Sequence, residues 1–286
     1  MPDELQRAMS DSGAFRILTA VTTHAVRDAV QRLGLNAHVG DAFGRLMTGA
    51  LLIRSTIHPG ERFQVQMKHN GTAGDLIVDC WPDSMVRGYP ANPEAEPDES
   101  GNVVGPIGVV EVSRSRRAGG KGIHQSVTMM ITGTIQDELQ LHLLESEQIA
   151  STIRLETVFD ADGVVSFAGG VLVQLLPGAD SEVLAAIIEK LESLGSIEEQ
   201  VVSGGHSALL QAVAPEDHPC TLVGSESPYF GCNCSEERVL GSLTTLARDN
   251  IQEIIREGRV LEMTCGYCRK VHQVAPERLR ALLEEN

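Results

Sequence analysis

Aromatic residues are scarce in this chain. One Trp, three Tyr and six Phe make up only 3% of 286 residues. Its core must therefore be filled by Leu, Ile, Val, Met and Ala, and a hydrophobic content of 42% is enough for one large domain or two. Basic charge is also in deficit, with 23 Lys+Arg against 39 Asp+Glu and a formal net charge of −16. That balance argues against nucleic acid or an anionic membrane as the main partner, because phosphate binding needs a basic face. No apolar run approaches the ~18–20 residues of a membrane span. The opening Met1-Pro2-Asp3-Glu4-Leu5-Gln6 lacks the basic and apolar regions of a signal peptide, so the cytoplasm is the expected compartment, where thiols stay reduced.

Motifs of several enzyme classes are missing as well. There is no G-x-x-x-x-G-K-[ST] phosphate loop and no G-x-S-x-G nucleophile elbow. The nine histidines form no ligand set, and His24, His38, His58 and His69 lack the i,i+4 pairing of a metalloenzyme helix. Gly119-Gly120-Lys121-Gly122 has no strand–loop–helix setting and reads as a flexible turn. Arg114, Arg116 and Arg117 read as a solvated hairpin. Asp160-Ala161-Asp162-Gly163 is ordinary turn chemistry between two strands.

What the chain does have is two close thiol pairs near its C-terminus. Cys232-Asn233-Cys234 and Cys265-Gly266-Tyr267-Cys268 are separated by thirty residues. Four thiolates at that spacing can close a tetrahedral site on one zinc ion, which imposes no d-electron geometry of its own. The single spacer in the first pair also brings Cys232 and Cys234 within disulfide reach. The same thiols could therefore hold zinc when reduced and pair when oxidised, or hold zinc permanently. From Glu226 to Asn286 there are ten acidic and eight basic residues, a net of −2, so this region offers nucleic acid no basic face either. His272, four residues beyond Cys268, is a possible substitute ligand. Cys80 alternates with aspartates on a strand and reads as a core thiol. Cys220 reads as a bystander or an extra redox centre.

Periodicity gives the outline of the rest. Ile17 to Leu33 and Val39 to Ile53 are expected to be helices, the second with Val39, Phe43, Leu46, Met47 and Ala50 on one stripe. Phe63, Val65 and Met67 alternate with polar residues, and Leu76, Val78 and Cys80 alternate with Asp75, Ile77 and Asp79, which predicts two strands. The acidic, Pro-rich stretch from Asn92 to Gly101 is expected to be an exposed mobile loop. Strands are expected at Ile107–Val112 and Val127–Thr132, joined by a hairpin tip from Arg114 to Gly122. A helix is expected from Ile135 to about Glu147, then strands at Ile153–Phe159 and Val164–Leu176. Helices are expected at Ser181–Leu194 and Ser207–Val213. Around the thiols, Ser235 can cap a helix, Val260–Met263 forms a strand, and Pro276 opens a last helix.

With these residues in view, the chain resembles the heat shock protein 33 family (the 33 kDa chaperonins), which are redox-regulated holdase chaperones. Gly231-Cys232-Asn233-Cys234-Ser235 and Cys265-Gly266-Tyr267-Cys268 look like that family's C-x-C and C-x-x-C pairs. Upstream matches are Asn70-Gly71 with Gly74-Asp75-Leu76, then Arg87-Gly88-Tyr89, Ser146-Glu147-Gln148 and Val173-Gln174-Leu175-Leu176-Pro177. The chain departs from the family at His142-Leu143-Leu144, where aromatics usually precede Ser-Glu-Gln, and at His124-Gln125-Ser126 in place of Tyr-Gln-Gly.

The resemblance implies an α+β fold with a mostly antiparallel sheet in three parts. Residues 1–178 would form a core domain that binds clients and dimerises, 179–225 a helical linker, and 226–286 a zinc module. Cys232, Cys234, Cys265 and Cys268 would bind Zn²⁺ in the reduced state. Oxidation would give Cys232–Cys234 and Cys265–Cys268 disulfides and unfold the module. The active protein would be a dimeric, ATP-independent holdase for unfolding proteins and not an enzyme. The competing readings are a zinc-ribbon interaction protein that does not switch and a thiol–disulfide oxidoreductase using Cys265 and Cys268.

Overall fold

A computed structural model describes residues 1–116, 123–243 and 248–285. Chain contacts divide it into two compact units, Met1–Phe230 and Gly231–Asn286. In the first unit the elements run β1 (Glu4–Ser10), β2 (Phe15–Val21), α1 (Thr23–Leu33), α2 (Ala37–Arg54), β3 (Glu61–His69), β4 (Leu76–Cys80), β5 (Met85–Pro90), β6 (Gly108–Arg116) and β7 (Ile123–Met129). They continue through α3 (Ile135–Glu145), β8 (Ser151–Phe159), β9 (Val165–Leu175), α4 (Ser181–Ser193), α5 (Ile197–Val213), β10 (Cys220–Glu226) and β11 (Tyr229–Phe230). The strands form two sheets in the orders β10-β1-β2-β9-β8 and β11-β5-β4-β3-β6-β7. Every pairing in them is antiparallel except β11 with β5. The fold is thus α+β with mostly antiparallel sheets, as expected.

Helix α2 lies between the sheets and packs on strands of both. Fourteen of its 18 residues are buried, so it is a core helix with no solvent face to speak of. Asn36 starts it, its side chain accepting from Val39 N at 2.9 Å. Gly44 lets it approach β8 closely, for a Cβ there would stand 2.8 Å from Thr157 Oγ1. On the outer sheet the expected alternation holds: Phe63, Val65 and Met67 are buried, and Gln64, Gln66 and Lys68 are half-buried on the other face.

Where the structure departs from the sequence expectations, a physical reason is visible. Ile17–Leu33 is not one helix, because β2 takes Phe15–Val21 and α1 begins at Thr23. Strand β2 is covered on both faces, by α1 and α2 on one side and by α4 and α5 on the other, so the period-2 signal of a half-buried strand is absent. Residues 179–225, expected as a helical linker, pack on the first unit. Ile187, Leu191, Ile197, Val201, Leu209 and Val213 cluster with Phe15, Ile17, Val171 and Val173, and β10 pairs with β1. The expected helix Ser207–Val213 is the second half of α5, whose regular backbone breaks at Gly204–Gly205, with φ of 66° at Gly205. The 92–101 stretch is pinned. Asn36 Nδ2 donates to Ala95 O at 2.9 Å, Thr72 Oγ1 donates to Glu96 O at 2.7 Å, and Ala95 is buried. Most of the expected hairpin tip, 117–122, lies outside the described residues.

Asp79, expected on an outward position, is fully buried. Arg62 Nη2 and Arg87 Nε each donate to its carboxylate at 2.8 Å and Trp81 Nε1 donates at 3.0 Å. The two guanidinium groups lie over the Trp81 ring, 5.2 and 5.3 Å from its centroid. A buried charge compensated this fully is tolerated.

The second unit contains α6 (Glu236–Leu243), α7 (Arg248–Glu257), β12 (Leu261–Thr264), β13 (Val271–Val274) and α8 (Pro276–Glu285), with β12 and β13 antiparallel. Among the described residues its buried apolar core consists of Leu240, Leu243, Ile251, Val274 and Leu279. Five such residues are few for a stretch of this length, and small units of this kind usually need a staple.

Candidate metal centre

Cys265 follows β12 directly and Cys268 lies in the turn that leads to β13. Two backbone bonds close this turn: Cys265 N donates to Lys270 O and Arg269 N to Cys265 O, both at 2.9 Å. Arg269 takes a left-handed φ of 59° to complete it. Cys232 and Cys234 sit on an irregular segment just before α6. Ser235 caps that helix, its Oγ accepting from Arg238 N at 3.4 Å, and Arg238 Nη1 donates back to Asn233 O at 2.9 Å. Each thiol pair is thus held by a local backbone motif.

The four sulfurs converge and all lie within 4.8 Å of one another. Cys232 and Cys265 are 3.7 Å apart, and Cys234 and Cys268 are 3.5 Å apart. A tetrahedron with Zn–S bonds of about 2.3 Å requires sulfur–sulfur edges of about 3.8 Å. These two separations are close to such edges and far longer than the ~2.05 Å of a disulfide. None of the six cysteines is disulfide-bonded. The site therefore fits a tetrahedral thiophilic ion, and the four cysteines can hold one.

The sulfurs differ in their surroundings. Burial raises the Cys234 thiol, and hydrogen bonds with the Cys268 and Cys232 thiols raise it further. Burial likewise raises Cys268, with the Lys270 backbone N–H acting against it. At Cys265 burial is again the largest effect and pushes upward. The backbone N–H groups of Cys268 and Tyr267, with the Cys268 and Cys232 side chains, outweigh it, and the thiol is lowered. Without a cation, four adjacent thiolates would repel one another; a divalent ion removes that cost.

His272 on β13 is buried, and its Nε2 lies 3.2 Å from Cys234 Sγ. It stands beside the tetrad as a hydrogen-bonding neighbour, outside the group of four candidate ligands. Its only sequence signal was proximity to Cys268. The remaining cysteines belong to the first unit. Cys80 is completely buried, and burial together with the Asp79 carboxylate pushes its thiol far up, as suits an inert core residue. Cys220 is half-buried on β10, its thiol raised by burial and by Asp11. The two segments that depart from the family pattern touch each other. Ser126 Oγ lies 3.3 Å from His142 Nε2, and Thr128 Oγ1 lies 2.9 Å from its Nδ1.

These features define an α+β protein with, at its C-terminal end, a four-thiol module that can hold a metal ion. The sequence model of the Hsp33 protein family matches residues 3–275, and the chain belongs to that family. It is 31% identical to a 33 kDa chaperonin of Synechococcus sp. (strain JA-3-3Ab), covering 100% of this chain and 91% of that protein. It is 32% identical to one of Thermus thermophilus, covering 98% and 86%. The crystal structure of a 33 kDa chaperonin (heat shock protein 33 homolog) from Thermotoga maritima shares the fold, with a TM-score of 0.87 at 24% identity over 100% of this chain and 99% of that one. No helix among the described residues is long and apolar enough to cross a membrane.

Proposed function

We propose that this chain is a redox-regulated, ATP-independent holdase of the cytoplasm. It holds Zn²⁺ on Cys232, Cys234, Cys265 and Cys268 when reduced and is activated when those thiols are oxidised. The observation that carries this reading is the convergence of four sulfurs in a unit with five buried apolar residues among those described. When bound, zinc neutralises the thiolates and ties the two halves of the unit together, a contribution on the order of 10–16 kcal/mol in small zinc modules.

The chemistry on the protein side is two disulfide formations. Cys232 with Cys234, and Cys265 with Cys268, each give up two electrons to one hydrogen peroxide, whose O–O bond breaks as the S–S bond forms, and the two hydroxides released take up two protons from solvent to become water. Disulfide sulfurs carry no negative charge to offer a cation. The second unit is then left with a core too small to stay folded. Apolar surface uncovered by its unfolding is the surface on which unfolding client proteins would be held, and burial there needs no nucleotide. The relatives are named chaperonins, which supports this reading over an enzyme. A homodimer is the expected active assembly, and the 1–178, 179–225 and 226–286 segments are assigned client binding, coupling and sensing.

The test is one sample followed through peroxide treatment under mild heat, with zinc release, free thiols and suppression of aggregation of a heat-unfolded enzyme measured together. Release of one zinc with loss of four thiols and gain of suppression is expected. Retained zinc would favour a permanent structural site. Zinc loss without suppression would defeat the holdase reading.

A further inference from the structure

Strand β8 is an outer strand of the first sheet, with β9 on one side and, among the described residues, no strand on the other. The ladder phase is fixed by Leu175 N, which donates to Ala150 O at 2.9 Å just outside β8. Even-numbered residues of β8 therefore turn their main-chain groups to β9, and Ser151, Ile153, Leu155 and Thr157 turn theirs to the open side. Exposed edges of this kind invite pairing and are usually blunted.

Here two side chains stand where a strand would be. Gln140 Oε1 on α3 accepts from Ile153 N at 3.1 Å, and Arg45 Nη1 on α2 donates to Leu155 O at 2.6 Å. One supplies the acceptor and the other the donor that a neighbouring backbone would supply. The edge opens on a cavity of about 800 Å³. Its floor is residues 152–156, one wall is Gln136 and Gln140 of α3, and the other is Ile188 and Glu192 of α4. Five strand residues extend about 17 Å, the length of a short added strand.

We propose that the free edge of β8, between α3 and α4, binds an extended polypeptide segment as a sixth strand of this sheet, with Gln140 and Arg45 as displaceable caps. The proposal rests on the holdase reading, and the occupant is a non-native stretch of a client. What the edge offers is a row of main-chain donors and acceptors at strand spacing, a pattern that every unfolded chain carries whatever its sequence. The charges around the cavity are of both signs, Arg45 and Arg154 with Asp137, Glu156 and Glu192, so they impose no charge requirement. Ile188, half-buried on the wall, can take an alternate apolar side chain of the guest.

The experiment uses the full chain after peroxide oxidation and a fluorescent ten-residue peptide of alternating Val and Thr with Lys at its ends. A second peptide carries N-methyl groups on alternate residues. Loss of two main-chain bonds should weaken binding about tenfold for the methylated peptide. Q136W/E192W, which fills the cavity, should abolish saturable binding. Q140A, which uncaps Ile153 N, should tighten binding about threefold, a gain that misfolding cannot mimic. Equal affinity for both peptides, unchanged affinity in Q136W/E192W, no gain in Q140A, or no saturable binding at all would overturn the proposal. So would a change in sedimentation of Q136W/E192W without peptide competition, since the edge would then pair two copies of the chain. Suppression of aggregation is followed in parallel. Peptide binding without suppression leaves the edge site standing and defeats the holdase reading; suppression without methyl-sensitive binding does the reverse.

Discussion

Replacing Glu156 with Ala should loosen the seat of α4 and α5 while the metal centre stays intact. Glu156 lies on β8 with its carboxylate at the start of α5. Its Oε1 accepts from Ser196 Oγ at 2.7 Å and its Oε2 from Ile197 N at 2.6 Å. Hydrogen bonds to a charged group contribute about 1.5–3 kcal/mol each, and a carboxylate at a helix N-terminus adds about 0.3–1 kcal/mol. The group is half-exposed, so solvent screening reduces the total, and about 2 kcal/mol is a reasonable figure for the loss. That corresponds to a roughly 30-fold increase in local opening. The apolar cluster of Ile187, Leu191, Ile197, Val201, Leu209 and Val213 remains and keeps the closed form dominant. Hydrogen exchange of the reduced, metal-loaded protein should show faster exchange across 197–213, with the second unit unaffected. Suppression of aggregation by that reduced variant should rise above wild type if release of the helix pair contributes to activity. A change of less than threefold in exchange would refute the argument.

Three further outcomes are expected. Cys265→Ser should lower zinc content from about one per chain to near zero and abolish cooperative unfolding of the second unit, as read by metal analysis and thermal melting. His142, on α3, is buried against β7, and burial lowers its pKa from 6.5 to about 4, with Glu147 and Arg114 acting in opposite directions on it. The unfolded chain takes up this proton first, so its stabilising effect is complete above pH 6.5 and is lost as pH falls from there towards 4, by about 3 kcal/mol; His142→Leu should flatten that part of a urea-melt pH series. Gly88→Ala should cost more than about 2 kcal/mol in urea unfolding, because a Cβ there would lie 2.1 Å from Ile77 O, a backbone atom that cannot step aside.

The parts of this fold that could be read from sequence are those whose environment differs from one face to the other. Phe63, Val65 and Met67 alternate because one face of β3 is buried, and the stripe of α4 is visible because its other side is wet. Strands β1, β2 and β10 escaped notice for the opposite reason or for a non-local one. Strand β2 is covered on both sides, and the pairing of Leu5 with Glu226 joins residues at opposite ends of the unit. The convergence of the four cysteines was legible from spacing alone, since ligand chemistry restricts both residue type and separation. The contact of His272 with Cys234, and that of Ser126 with His142, depend on chain crossings that no local pattern encodes. Asp79 looked outward by alternation, and only the approach of Arg62, Arg87 and Trp81 makes its burial tolerable.

The pairing of β10 with β1 has a mechanical consequence. The 176–219 stretch, which carries α4 and α5, leaves the first sheet at β9 and rejoins it at β10. It is a flap stitched along two hems, so lifting it off the sheet detaches neither end. Its return is a short-range search at high effective concentration, because both hems stay in the sheet while it is lifted.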